Sequence, residues 1–122
     1  MRTLPDKITE LTLPSGAKVK VDGNGYLTDP NDWSQEFADY IAEQEGITLT
    51  PLHHEMIRFI RDYQDEHGIM PDARFALKFL AKRDNLDKAG SKAAMYSLFP
   101  YGYVGQACKM AGMKQPRAWS TG

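Results

Sequence analysis

The sequence predicts a small α+β domain that is mainly helical: an orthogonal helical bundle with an N-terminal β-hairpin and a flexible C-terminal arm. Three observations predict it. Hydrophobic residues alternate near the N-terminus, recur with a period of about 3.6 from Asp32 onward, and lose all periodicity after Gly112. The 122 residues, 42% hydrophobic and 25% charged, suit one core. We therefore predict a single domain over residues 1–112 and an arm over residues 113–122.

The hairpin is predicted from two short alternating segments. Leu11 and Leu13 alternate with polar residues, as do Val19 and Val21, and the intervening Pro-Ser-Gly at 14–16 is typical of a turn. A second turn is indicated by Asp-Gly-Asn-Gly at 22–25, because Gly and Asn tolerate positive φ angles.

The first helix is predicted to begin at Asp32 and to end at Gly46. Asp32 and Gln35 have the spacing of a capping box, and apolar residues recur at four-residue steps at Trp33, Phe37 and Ile41. A second helix is predicted with Thr50 as N-cap, Pro51 at its first position and Gly68 as its stop.

A third helix is predicted to start at Pro71 and to carry two stripes. Four residues form the expected buried stripe: Phe75, Ala76, Phe79 and Leu80. Arg74, Lys78 and Lys82 recur at i, i+4 and i+8, which places them in one cationic row that we expect to face solvent.

Two short helical stretches complete the domain. Ser91 is placed to cap a helix that Pro100 must interrupt, and a last stretch covers residues 104–111, with Gly112 as its stop. The pair could form a helix-turn-helix, which would place Gln106 and Lys109 on a recognition helix for DNA.

Several protein classes are excluded or disfavoured by composition. No apolar run approaches the roughly 18 residues that span a bilayer, and the first residues lack the apolar stretch of a secretory signal, so we expect a cytoplasmic protein without a membrane partner. The single cysteine permits neither an intramolecular disulfide nor a thiolate zinc site. His53 and His54 are adjacent, about 100° apart on a helix, and cannot chelate one ion, so no metal or other cofactor is expected.

Charge is distributed unevenly along the chain. Residues 1–70 hold 6 Lys/Arg against 13 Asp/Glu, a net charge of −7, whereas residues 71–122 hold 9 against 3, a net charge of +6. Such asymmetry indicates either a basic face for an anionic partner such as DNA or two halves that attract each other across the fold. We favour mutual attraction, because net charge rarely identifies a partner.

Cys108 is the one nucleophile of special interest. It lies late in a short helix, where the helix N-terminus cannot lower the pKa of its thiol, and Lys109 points to another side. Judged from the residues alone, a buried and inert cysteine is favoured, because free cysteine is among the most buried residue types.

Several separate blocks of sequence resemble the DsrC/TusE family of sulfur-relay proteins over about residues 20–117. The blocks are GYL at 25–27, EGITLT at 45–50, IRFIRDY at 57–63, LFP at 98–100 and ACKMAG at 107–112, with Trp33, Pro71, Arg74 and Gly102 between them. The resemblance implies a small helical domain with a hairpin and a C-terminal arm.

The resemblance also implies roles for individual residues. In this family a cysteine near the C-terminus carries persulfide, and in the DsrC branch it also bonds to an upstream cysteine. Cys108 matches that upstream position, which makes the chain look closer to the DsrC branch than to TusE, whereas the distal position is occupied by Trp119. Cys108 is then the candidate sulfur acceptor, and the candidate partner-binding residues are Arg74, Lys78, Lys109 and Trp119.

Two functions follow as hypotheses. The first is a sulfur-relay protein that holds sulfur on Cys108 as persulfide or mixed disulfide, with sulfur-transfer proteins or a sulfite reductase-like complex as partners. The second is a regulatory homologue that transfers no sulfur and binds a protein or DNA through its basic C-terminal half. An exposed thiol of low pKa at Cys108 would favour the first hypothesis, and a buried thiol the second.

Overall fold

The computed structural model describes residues 7–116. Two antiparallel strands come first, β1 (Thr9–Thr12) and β2 (Lys18–Val21). Four α-helices follow: α1 (Gln35–Glu45), α2 (Pro51–His67), α3 (Ala73–Asp84) and α4 (Lys88–Leu98). A short 3-10 helix, Pro30–Asp32, precedes α1, and a π-helical segment, Tyr103–Cys108, follows α4. The predicted α+β class, mainly helical with an N-terminal hairpin, is confirmed.

The hairpin has the predicted strands and turns. Leu11 pairs with Val19, and the alternation along β2 buries Val19 and Val21 while Lys20 between them faces solvent. In the following turn the Asp22 carboxylate accepts the N–H groups of Asn24 and Tyr26, at 2.8 and 3.1 Å. These bonds return the chain to the core after β2.

The start of the first helix differs from the prediction. Residues 30–32 form the 3-10 helix, capped by Asp29, so Asp32 lies before α1 and does not begin it. Ser34 is the N-cap instead, and its hydroxyl accepts the N–H of Phe37 at 3.2 Å. The predicted stop at Gly46 is confirmed.

The second helix has the predicted boundaries. Thr50 is its N-cap, Pro51 occupies the first position and Gly68 ends it. The His53 side chain completes the cap, because its Nδ1 atom accepts the Thr50 N–H at 3.0 Å. Buried His53 also contacts the Leu98 carbonyl through Nε2 at 2.9 Å, which joins α2 to the end of α4.

Two later helix starts are also shifted. Asp72 caps α3 by accepting the Arg74 N–H at 2.9 Å, so Pro71 lies outside the helix. Asp87 caps α4, and Ser91 is buried within that helix, where its hydroxyl donates to the Lys88 carbonyl. Aspartate is as favourable an N-cap as serine, and at the start of α4 the sequence has both, Asp87 and Ser91, within a few residues.

The core is one cluster of buried residues drawn from the hairpin, the four α-helices and the π-helical segment, and α2 packs against both α3 and the π-helical segment. Its fully buried members include Phe37, Met56, Ile60, Leu80, Ala107 and Met110. Only part of the predicted α3 stripe belongs to it: Ala76 and Leu80 are buried, whereas Phe79 is half-buried and Phe75 is 38% exposed. Within residues 7–116 the helices are too short or too polar to cross a bilayer.

Candidate functional site

Cys108 is the last residue of the π-helical segment, and its side chain is fully buried. Burial raises the pKa of the thiol to about 12. The nearby Tyr103 hydroxyl lowers this pKa only in part. The group is therefore a neutral thiol at neutral pH and is closed off from solvent.

The hydrogen bonding of Tyr103 explains why the Cys108 thiolate is stabilised so little. Its hydroxyl donates to the Pro71 carbonyl at 2.7 Å and so commits its one proton to that bond. The Tyr103 side chain is itself buried, and burial raises the pKa of its phenol well above the usual range. The bond joins the π-helical segment to the start of α3, which makes this region a packed structural unit.

Two side chains hold the chain just before the predicted C-terminal arm, and we call Trp33 and Arg61 the arm-root clamp. The Trp33 indole N–H donates to the Met110 carbonyl at 2.7 Å. The Arg61 guanidinium donates to the carbonyls of Ala111, at 2.7 Å, and Pro30, at 3.1 Å. It also lies over the Trp33 ring, 4.4 Å from the ring centre. The backbone at Met110 and Ala111 is thus held by distant parts of the chain.

The backbone at the arm root forms a tight helix end. Gly112 has a φ of +81°, and the N–H of Met113 donates to the Cys108 carbonyl at 3.0 Å. Together with the bond from the Gly112 N–H to the Lys109 carbonyl, this is the pattern of a Schellman motif. The buried cysteine and the start of the arm therefore belong to one rigid turn.

Sequence reasoning predicted Gly112 as a stop but missed the arm-root clamp. By spacing, Trp33 fits the apolar stripe of the first helix, and Arg61 is one charge among many on the second. Nothing in the local pattern distinguishes these residues, because the groups that they bind lie 77 and 50 positions away along the chain.

A groove of about 960 Å³ adjoins the arm root. Its walls come from Leu27 and Thr28, from Ile69 and Met70 after α2, and from residues 113–116. Trp119, predicted to bind a partner, lies outside the described residues.

The predicted cationic row is exposed along α3. Arg74 pairs with Asp72 at 3.1 Å, which raises the pKa of Arg74 and lowers that of Asp72. The cationic groups of Arg74 and Lys78 lie 5.9 and 5.8 Å from the centre of the Phe75 ring. Lys109 lies against other residues: its Nζ atom is 5.4 Å from the centre of the Tyr26 ring.

The predicted helix-turn-helix is wrong. Gln106, expected on the recognition helix, is 1% exposed; it accepts the Tyr101 N–H at 3.0 Å and donates to the Glu45 carboxylate at 2.9 Å. The segment is also π-helical over 103–108, and Lys109 is half-buried. A recognition helix must expose such side chains to the DNA groove, and this one directs them into the domain.

Comparison with protein families and known proteins gives a consistent result. A family model described as DsrC like protein matches residues 14–118. The sulfurtransferase TusE of Yersinia pseudotuberculosis is 41% identical over 101 residues, which are 83% of this chain and 93% of the relative. The TusE of Escherichia coli K12 is 40% identical over the same length, covering 92% of that protein.

Solved structures give the same result. The oxidized γ-subunit of dissimilatory sulfite reductase (DsrC) from Archaeoglobus fulgidus matches with a TM-score of 0.80 and 32% identity, over 92% of this chain and 100% of that chain. DsrC from Allochromatium vinosum matches with a TM-score of 0.78 and 35% identity, over 93% and 99% of the two chains. These identities to DsrC are no higher than those to TusE, so the cysteine at position 108 does not by itself assign the chain to the DsrC branch.

Proposed function

This chain belongs to the DsrC family, and on that premise we propose that it takes part in sulfur relay as a member that binds relay proteins without carrying sulfur itself. The observation that carries this proposal is the burial of its one thiol. The role corresponds to a regulator that occupies the docking site of a sulfur-carrying relative.

The chemistry of sulfur transfer supports the proposal. A carrier needs a thiolate that can attack a donor persulfide and can then be attacked by an acceptor, so its sulfur atom must be reachable from outside. Cys108 is fully buried, and the pKa of its thiol is raised to about 12. With that pKa, almost no molecules hold a thiolate at pH 7.

The cysteine content supports it further. Cys108 is the one cysteine of the sequence, and the position at which the family resemblance places the distal carrier is Trp119. A chain with one thiol forms no intramolecular disulfide, so it cannot perform the two-cysteine chemistry that the DsrC resemblance implies. The scaffold of the family remains, and we propose that it binds the partners.

The partners proposed are sulfur-transfer proteins or a sulfite reductase-like complex. The names of the relatives point to these two classes: sulfurtransferase for TusE and dissimilatory sulfite reductase subunit for DsrC. The arm-root clamp supports binding of a partner here, since it holds the backbone at Met110 and Ala111, directly before the predicted arm.

The first test is the intact mass of the native chain after incubation with inorganic polysulfide, with Cys108→Ser as the matched control. We expect no added mass on the native protein and a gain of about 32 Da per sulfur atom once the chain is unfolded in urea. A gain on the native protein that Cys108→Ser abolishes would overturn the non-carrying role and establish Cys108 as a sulfur acceptor.

The second test is competition with a relative. The E. coli TusE protein is loaded with sulfur by its own donor proteins, with and without an excess of this chain. We expect the excess to slow loading in proportion to its concentration, and the Cys108→Ser variant to slow it equally. If loading is unaffected at any excess, the chain does not bind that relay, and the docking role proposed here fails.

A further inference from the structure

The groove at the arm root has apolar walls that residues 7–116 leave uncovered. Its lining includes Ile8, Leu27, Ile69 and Met70. Ile69 is 66% exposed and Ile8 is 50% exposed, and they are two of the five exposed large hydrophobic residues in the described part of the chain. Exposed apolar side chains gathered in one concave place are typical of a binding surface.

The chain itself runs along this groove up to its last described residue. Residues 113–116 all line it, and the Gln115 side chain is held there because it accepts a hydrogen bond from Asn24 Nδ2 at 2.9 Å. Trp119 follows three positions after Pro116. Three residues span at most about 10 Å even when fully extended, so covalent geometry keeps Trp119 within reach of the groove.

The groove also offers a hydrogen-bond acceptor. Asp22 lines it, and the N–H groups of Asn24 and Tyr26 both bind the Oδ1 atom of its carboxylate. The other oxygen, Oδ2, accepts no hydrogen bond from residues 7–116. An indole suits such a place, because it is a large apolar ring system with a single N–H donor.

We propose that the indole of Trp119 occupies this groove in the same chain, packs against Ile69 and donates its N–H to Asp22. The groove volume of about 960 Å³ is within the range of small-molecule sites and has room for one indole and the backbone that carries it. The bound ring covers Ile69, so a partner that uses the groove must first displace Trp119. This inference goes beyond the relay role and does not depend on it.

Trp119 is favoured over other occupants by its position and by its chemistry. Residues 1–6 contain Leu4 but no aromatic side chain, and of the described residues nearest to them only Ile8 lines the groove. The four described residues nearest to Trp119 all line it. The short tether also makes binding within one chain intramolecular, which favours it over the tryptophan of a second copy.

The test is ¹⁹F NMR of the full chain labelled with 5-fluorotryptophan, with a soluble gadolinium chelate as the probe of exposure. The two tryptophans give two resonances, which Trp119→Phe assigns, and the Trp33 resonance reports whether each variant is folded. We expect the chelate to broaden the Trp119 resonance severalfold less in the native chain than in urea.

Two groove variants and one control follow from the contacts proposed. Ile69→Asn should raise the broadening of the Trp119 resonance to its level in urea, because the groove loses an apolar wall. Asp22→Asn should raise it partway, because the amide keeps an oxygen for the turn but replaces Oδ2 with an NH₂ donor. Tyr96→Asn should change nothing, since Tyr96 is 70% exposed and lies outside the groove.

Three results would overturn the proposal. Broadening in the native chain as strong as in urea would show that the ring is not bound. Protection that survives Ile69→Asn would show that the ring binds elsewhere. Protection that increases with protein concentration would assign the groove to the Trp119 of a second copy.

Discussion

The indole ring of Trp33 lies so close to Gly112 that a β-carbon built at position 112 would come within 2.6 Å of the Trp33 Cδ1 atom. The same indole donates its N–H to the Met110 carbonyl, so the ring cannot withdraw without losing that bond. The absence of a side chain at residue 112 is therefore a condition for the arm-root clamp.

Gly112→Ala should lower the free energy of unfolding by about 2–4 kcal/mol, because it adds a steric overlap to the strain of a φ of +81°. Gly68→Ala is the matched control: Gly68 also ends a helix, at a φ of +77°, but its β-carbon would meet nothing within 4 Å. That variant should lose only about 1–2 kcal/mol. Urea denaturation measures both values, and equal losses would contradict the close Trp33 contact.

Arg61→Met should cost about 2–4 kcal/mol of stability, since the carbonyls of Ala111 and Pro30 both lose a charged donor. Arg61→Lys should give an intermediate loss, because a single ammonium cannot reproduce the forked geometry of the guanidinium. Arg58→Met, at an exposed position on the same helix, should stay within about 0.5 kcal/mol of the wild type. Equal urea midpoints for Arg61→Met and Arg58→Met would show that the hydrogen bonds of Arg61 do not stabilise the fold.

Tyr103→Phe should cost about 1–2 kcal/mol, because the buried Pro71 carbonyl loses its hydrogen-bond donor while the packing of the ring is kept. Tyr101→Phe serves as the control, since Tyr101 is 83% exposed and should change stability by less than about 0.5 kcal/mol. Thermal and urea unfolding of the two variants provide the comparison. A neutral Tyr103→Phe would mean that the bond to Pro71 contributes nothing to the fold.

Stability should fall as the pH rises above 9, because the unfolded Cys108 thiol releases its proton there while the folded thiol holds it up to a pKa of about 12. Between pH 9 and 10 the thiol should account for a loss of about 1 kcal/mol, a value set by its pKa in the unfolded chain. The buried phenols of Tyr26 and Tyr103 add a further loss that begins near pH 10, the usual tyrosine pKa, because burial raises the pKa of both groups in the folded chain.

The measurement for this pH dependence is the urea midpoint at pH 8, 9 and 10 for the wild type and Cys108→Ala. The variant should be less stable overall, and its midpoint should fall less between pH 8 and 10 than that of the wild type, because only the buried tyrosines then contribute. The wild type and the variant would show parallel pH dependence if the thiol ionised normally in the folded state.

Features fixed by neighbouring residues could be predicted from the sequence. The second helix has its predicted ends because Thr50, Pro51 and Gly68 act through local backbone bonds. The helix starts at Ser34 and Asp87 were missed because a second capping residue, Asp32 or Ser91, lies within a few positions of each, and local chemistry does not choose between them.

Features that depend on distant contacts could not be predicted. Gln106 looks like an exposed polar residue on a short helix, and only its bond to Glu45, 61 positions away, explains its burial. Phe75 fits a buried stripe by spacing, yet it stacks on Tyr63 at the edge of the core. The burial of Cys108, by contrast, agrees with the preference of cysteine for protein interiors.

The Met113 N–H donates to the Cys108 carbonyl, and Met113 is only 2% exposed. Both features should protect this amide from hydrogen exchange. This amide can exchange with solvent deuterium only when the turn that contains Cys108 opens, and that turn is packed into the core. Its exchange rate should therefore follow the global unfolding equilibrium, although only nine residues follow it in the chain. Lys114, one position further, is an exposed residue, and its amide should exchange orders of magnitude faster.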